Sequence, residues 1–334
     1  MATIGDVAKY AGVSRSTVSH ALSGKRPISL ETRQRISEAI VALQYTANAG
    51  AKALATSKTS TLGLIVPYTP AEFAPARMQY VMIVSETARE LGFDVLMVTD
   101  FDGRAGIKRV TDSSRVDGVI LLNVTRHDER IGSVLAAAKP GVLIGLADDN
   151  AALDSVDLDF AAAGRSMVRH LAERGHRRVI FVTLPTEMFL QDLGYVWRLH
   201  ESVIDEAQTA GLALTVVHDA ADPKDRMRVL AGALDATPDA TALLVHSVGA
   251  LIDLPVLLSQ RRISVPRDLS VVGLFGDEFG AMFALPYTAV EPSPEVVVSR
   301  AVHLVAERIE DPSRPVVQEL LAPLMVDRGS TREV

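Results

Sequence analysis

Four hydrogen-bonding side chains, Arg15, Ser16, Ser19 and His20, fall at positions i, i+1, i+4 and i+5 of the stretch RSTVSHALS. The apolar residues of that stretch, Val18, Ala21 and Leu22, recur at helical spacing and predict a buried stripe on the opposite face. Arginine can offer two donors to a pair of acceptors, and serine and histidine both donate and accept. The set therefore suits hydrogen bonding to base edges in a DNA groove rather than the making or breaking of bonds. Ser14 precedes the stretch as a candidate N-cap and Gly24 follows it as a stop.

Such a helix must be held by others. Thr3 and Asp6 have capping-box spacing and open a helix whose Ile4, Val7, Ala8 and Ala11 can face inward until Gly12 breaks it. Ser29 caps a third helix with Ile36, Ala39, Ile40 and Leu43 at helical spacing, ending at Tyr45. Residues 1–46 thus read as a three-helix helix-turn-helix domain. A glycine between two helices is not diagnostic alone, so charge matters. The chain carries −7 overall, yet up to Ser60 there are eight basic residues and three acidic ones, giving +5 there and −12 beyond. Phosphate attracts the small module and repels the rest.

From Thr61 onward, apolar runs of strand length (TLGLIVP, DVLMV, VDGVILL, GVLIG, RRVIFVT, LALTVV, TALLVH, LSVVGL) alternate with helical stretches such as Met78 to Leu91. That alternation predicts parallel sheets covered by helices on both faces. About three repeats precede Asp159 and about three follow Arg178, which implies two doubly wound subdomains with a ligand cleft beyond their strand ends.

Enzyme, metal and membrane readings find little here. There is no G-x-S-x-G, no phosphate-binding glycine loop ending in Lys-Ser/Thr, no H-E-x-x-H, and no cysteine for disulfides or thiolate ligands. His170 and His176 flank a helix end without a third ligand, and Gly175-His176-Arg177-Arg178 reads as a cap for the strand after it. No metal or cofactor is expected. The absence of a basic and apolar leader at Met1 to Tyr10, and of any eighteen-residue apolar run, predicts a cytoplasmic protein without a membrane partner.

TIGDVAKYAGVSRSTVSHALSG followed by ISLETRQRI resembles the DNA-binding region of the LacI family of bacterial regulators, and ERGHRRVIFV, ISVPRDLSVVGL and LAPLMVDRGST extend the resemblance into the body. It implies a DNA-contacting set of Thr3, Ser14, Arg15, Ser16, Thr17, Ser19 and His20, joined by a hinge over 47–60. There Asn48, Ala51 and Lys52 match the family pattern, and Leu54 is the residue that wedges into the minor groove. The residues of 47–58 by themselves say only that the segment is small and too short for a stable isolated helix. The resemblance further implies a homodimer on double-stranded, pseudo-palindromic operator DNA, repression as the norm, and a periplasmic-binding-protein-like body over 61–334. Its subdomains would exchange chain near residues 160, 288 and 318, giving about 61–159 with 290–318 and about 160–289 with 319–334. The terminal STREV carries no leucine heptad for a tetramerising helix.

The sequence departs from the family at informative places. His20 stands where the family has arginine, and Ala47 where it has proline, so the base sequence read by the headpiece does not carry over. An ungapped comparison of the cleft puts Gln191 at the sugar-clasping arginine, Ser247-Val248 at an Asn-Asp pair, and Phe275 and Gly145 at two aspartates. Leu146 neighbours Gly145, and Phe160 replaces an asparagine. With Phe73 and Asn123, the expected effector-binding set is Phe73, Asn123, Leu146, Phe160, Gln191, Ser247 and Phe275. Few of these offer sugar hydroxyls a bidentate partner, so the expected small-molecule effector is flatter or more apolar than a simple sugar. Two alternatives stand beside it, a cleft filled by its own aromatics and control by a protein partner. A rival from another class is a solute-binding protein with an appended N-terminus.

Overall fold

The computed structural model describes residues 2–23, 28–45, 58–67, 71–100, 103–149, 152–282 and 284–334. Helices α1 (Ile4–Ala11), α2 (Arg15–Ser23) and α3 (Leu30–Ala42) form the headpiece. Each starts on a side-chain cap. Asp6 N–H donates to Thr3 Oγ1 while Thr3 N–H donates to Asp6 Oδ2 at 2.8 Å, Thr17 N–H donates to Ser14 Oγ at 3.1 Å, and Thr32 N–H to Ser29 Oγ at 3.3 Å. Gly12 ends α1 in the left-handed region (φ 64°), a conformation glycine adopts without strain. Val7, Ala8, Ala11, Val18, Ile36 and Ala39 are the buried core, with Ala21, Ile40, Leu43 and Tyr45 packed against it. Leu22 departs from the stripe expected of it. It is 41% exposed, because this small core closes over Val18 and Ala21 and leaves the last turn of α2 at its rim.

Two six-stranded sheets follow. The first has strand order β11-β5-β4-β3-β1-β2, all parallel, built from β1 (Thr61–Ile65), β2 (Asp94–Val98), β3 (Gly118–Leu121), β4 (Gly141–Ile144), β5 (Asp154–Leu158) and β11 (Gln318–Leu321). Helices α4 (Ala74–Glu90) and α13 (Pro294–Glu310) cover one face through Val84, Ala88, Val298 and Val302. Helices α5 (Gly103–Asp112) and α6 (Glu129–Ala136) cover the other through Ile107, Val110 and Val134.

The second sheet, β12-β10-β9-β8-β6-β7, contains β6 (Arg178–Thr183), β7 (Ala213–His218), β8 (Ala242–Val245), β9 (Ser270–Leu274), β10 (Thr288–Glu291) and an antiparallel edge, β12 (Leu324–Val326). On one face lie α7 (Phe160–Glu173) and α9 (Gly194–Thr209), on the other α10 (Pro223–Ala236) and α11 (Val248–Arg261). The short α8 (Thr186–Leu190) and α12 (Asp277–Met282) flank the strand ends.

The central strands β1, β3, β4, β8 and β9 are buried on both faces and almost wholly apolar, which is why their runs, from TLGLI to SVVGL, appear as strands, whereas β5 is equally buried but carries two aspartates. The chain passes between sheets after Leu158, between Glu291 and Pro294, and between Leu321 and Leu324. The last two crossings fall a few residues beyond the positions read from sequence, since β10 still pairs with β9 up to Val290 and β11 still pairs with β5 up to Leu321.

Candidate DNA-binding and ligand-binding sites

On α2, Arg15 and Ser16 are exposed and Ser19 and His20 half-buried, so the polar face reaches the surface. The Arg15 guanidinium lies back across Gly5 of α1, where a Cβ would come within 2.8 Å of its Nη2. A side chain at position 5 would push this arginine away. Thr3 and Ser14 sit at the N-termini of α1 and α2. Ser14 Oγ is also 2.7 Å from Ser16 Oγ and 2.8 Å from Thr17 Oγ1, which ties three hydroxyls to the start of α2. A helix N-terminus with unpaired N–H groups and clustered hydroxyls is suited to a phosphate. Asn48, Ala51, Lys52 and Leu54 lie outside the described residues. At residues 59 and 60 the chain is tied to the body: Asp117 accepts from Thr59 N at 2.7 Å, Thr59 Oγ1 at 3.0 Å and Ser60 N at 2.8 Å.

The second site is a cavity of about 410 Å³ between the two sheets, beyond their carboxyl strand ends. It brings together Phe73, Asn123, Phe160, Ser247 and Phe275. Leu146 and Gln191 are not in its wall, contrary to the set read from sequence. Leu146 turns away after Gly145 and contributes its carbonyl to Arg198, and Gln191 caps the C-terminal end of the five-residue α8. Ser247 is in the wall, but its hydroxyl is spent on the Asp219 carboxylate and on Ala250 N–H, as the N-cap of α11.

Polar groups distant in sequence complete the wall, which is less uniformly apolar than the sequence comparison indicated. Glu72 Oε2 accepts from Asn123 Nδ2 at 2.9 Å and Arg77 Nη1 at 3.0 Å, and burial still raises its pKa. Asp219 takes Arg226 Nε at 3.0 Å, and Arg226 reaches Asp253 at 3.0 Å; burial raises the Asp219 carboxyl against these partners. Asp157 is pushed up to about 7 by burial, although Arg198 Nη2 stands 3.0 Å away and pulls it down. His246, 3% exposed, is held neutral with a pKa of about 3, by burial and by nearby His200. None of Glu72, Tyr80, Asp157, Tyr195 or His246 carries a motif; only their neighbourhood in space assembles them.

The two subdomains grip each other around the cavity. Arg126 donates to Asp192 Oδ1 at 2.7 Å and stacks over Trp197, with its Cζ 4.6 Å from the ring centroid. Gly194 N–H bonds Val124 O at 3.0 Å, Arg198 spans to Leu146 O at 2.9 Å and to Asp157, and Phe73 meets Phe279 edge-on at 5.9 Å. His176 does the structural work expected of it, fully buried against Thr241 Oγ1 at 2.7 Å. Among the described residues no group of three or more His, Cys, Asp or Glu could hold a metal ion, and no helix is long and apolar enough to cross a membrane.

A capped helix-turn-helix headpiece, joined to a two-lobed body whose lobes close on a cavity, is the build of a DNA-binding regulator with a binding-protein-like core. Residues 3–48 match the family of bacterial regulatory proteins of the LacI type. Residues 59–191 match the periplasmic binding proteins and sugar-binding domain of the same family, and residues 168–331 a periplasmic binding protein-like domain. The chain belongs to the LacI family. It is 31% identical over 340 residues to the HTH-type transcriptional regulator CelR of Thermobifida fusca, covering 97% of each chain. Its fold superposes on a structure described as a CelR–cellobiose complex with a TM-score of 0.67 at 25% identity, over 99% of this chain and 100% of that one. The lac repressor dimer bound to operator and an anti-inducer gives a TM-score of 0.83 at 21% identity, over 99% of both chains.

Proposed function

We propose that this regulator represses transcription as a homodimer on a pseudo-palindromic operator, and that a ligand in the cleft sets its affinity for DNA. Each protomer supplies one recognition helix, so a two-fold dimer reads two half-sites. Arg15, Ser16, Ser19 and His20 read base edges, while Thr3, Ser14 and Thr17 hold the backbone and fix the register. Asn48, Ala51, Lys52 and Leu54 contact the operator and bend it at the minor groove. CelR and the lac repressor, whose descriptions name regulation and operator binding, support repression through this architecture.

The effector has a flat, largely apolar body. One observation carries this. The cavity is walled by the rings of Phe73, Phe160, Phe275 and Phe279, and its charged groups are already committed, Glu72 to Arg77, Asp157 to Arg198 and Asp219 to Arg226. A sugar, whose hydroxyls need several uncommitted partners each, would leave most of them unsatisfied against those rings. Closure of the lobes on the ligand alters the spacing of the two tethers below Thr59, and by linkage DNA alters ligand affinity by the same factor.

Selection of bound fragments from a random duplex pool, followed by titration of the winning site, tests the DNA arm. Full-length protein should bind it in a strongly salt-dependent manner, and the chain lacking residues 1–58 should not bind at all while its body still unfolds cooperatively. Retained binding by the truncated chain overturns the headpiece assignment. A calorimetric screen in which only simple sugars bind overturns the effector reading.

A further inference from the structure

We propose that the effector is a neutral planar molecule bearing a carbonyl-type oxygen, held from both lobes at once by the phenol hydroxyls of Tyr80 and Tyr195. This deepens the assignment of the cleft as the site of a flat effector and rests on it.

The two tyrosines join the cavity wall from opposite lobes. Tyr80 stands on α4, packed against the core of the first sheet, and Tyr195 on α9, packed against that of the second. Among the described residues neither hydroxyl has a hydrogen-bond partner. Nor does either belong to the occluded, unbonded polar atoms of the interior, so both open onto the cavity. The remaining polar wall is already matched: Glu72 with Arg77 and Asn123, Asp157 with Arg198, Asp219 with Arg226 and Ser247. With each of these carboxylates facing a guanidinium, the wall shows no surplus charge to draw in an anion or a cation. The phenols are the hydrogen-bonding groups left for a ligand to satisfy.

Packing sets the direction of one of them before any ligand arrives. The Tyr195 ring lies 5.3 Å from Phe160, tilted by 43°, and meets the His246 ring edge-on at 6.2 Å. A hydroxyl held in this way costs a ligand little ordering. Burial also keeps both phenols protonated, so each has a hydrogen to donate. A carbonyl oxygen, with two lone pairs, can accept from both, while the planar body to which it is joined lies against the rings of Phe160 and Phe275. An ammonium head carries donors only and leaves both phenol hydrogens unmatched. A sugar asks for many more partners than two. Because the two hydroxyls belong to different lobes, a ligand bonded to both favours the closed arrangement through contacts that an open cleft cannot make.

The test uses the full chain and titration calorimetry, with chroman-4-one as the neutral planar ketone. Chroman lacks only the carbonyl, 4-aminochroman replaces it with a protonated amine, and cellobiose serves as the sugar. Chroman-4-one should bind about tenfold more tightly than chroman. Tyr80→Phe and Tyr195→Phe, which keep the rings and remove one hydroxyl each, should each cut that ratio by about threefold, and the double variant should bring it to about one. Either single variant suffices should the other fail to fold. Equal binding of chroman-4-one and chroman, or a ratio that survives both substitutions, overturns the paired phenols and leaves the flat-effector reading standing. Tighter binding of 4-aminochroman than of chroman-4-one overturns the neutral carbonyl in the same way. Binding of cellobiose alone, or of none of the four, overturns both readings.

Discussion

Replacing Asp157 by Asn removes one titrating group from the cleft wall and keeps its shape. In the native protein this side chain is 8% exposed, Oδ2 stands 3.0 Å from Arg198 Nη2, and Oδ1 accepts from Leu158 N–H at 3.0 Å. Burial wins over both partners and lifts the carboxyl from 3.8 to about 7. In the unfolded chain it titrates near 3.9. Between those values the folded state holds a proton that the unfolded state has lost. The resulting stabilisation is fully present below the unfolded value and disappears as pH rises through 7. From about pH 5.5 to about pH 8 the loss amounts to roughly one and a half pK units, or about 2 kcal/mol. The carboxamide does not titrate. Wild-type stability minus variant stability, measured by urea unfolding followed by circular dichroism at constant salt, should therefore fall by about 2 kcal/mol across that interval. The buried histidines His176 and His246, with pKa values of about 4 and about 3, give the opposite slope below their unfolded value, but they are common to both proteins and cancel in the difference. A flat difference, or one that rises with pH, refutes the reasoning. It would mean that Arg198 keeps Asp157 ionised throughout and that the lobes are joined by a true ion pair.

Val18→Ala removes two methyl groups from a fully buried position in a headpiece core of six residues. It should cost about 1–3 kcal/mol and abolish specific DNA binding on warming, while the unfolding transition of the body stays where it was; an unchanged headpiece transition would show that α2 is not held as described. Leu54→Ala should lower specific operator affinity by about tenfold and leave binding to random duplex unaltered, as read from fluorescence anisotropy at fixed salt. Equal specific affinity in the two proteins would remove Leu54 from the role of wedge.

Local chemistry made much of the architecture legible. The caps at Thr3, Ser14 and Ser29 are short-range devices, each complete within four residues, and all three form as the sequence predicts. The central apolar strands are legible for a similar reason, since burial on both faces leaves no polar alternation to confuse them. β5 escaped because DSVDL places two aspartates in a strand. Asp154 is compensated by Arg308 at 2.8 Å and Asp157 by Arg198, and both partners lie far along the chain. The cleft divides in the same way. Phe160 and Phe275 are legible by comparison at fixed positions, whereas Tyr80, Tyr195 and His246 meet only after two lobes have folded and closed. Leu146 and Gln191 failed because an aligned position fixes a residue's place on the chain and not the direction of its side chain.

The grip of Asp117 on residues 59 and 60 has a consequence for how such proteins can be recombined. Two of its three bonds go to main-chain N–H groups, which any residue other than proline supplies, and only one depends on the threonine hydroxyl. The seam between reader and sensor is therefore almost indifferent to the identity of the sequence that arrives there. A foreign headpiece whose own sequence ran through positions 59 and 60 would be held to the body by the same carboxylate, provided neither residue were proline. Exchange of modules at this junction would leave the attachment to Asp117 intact.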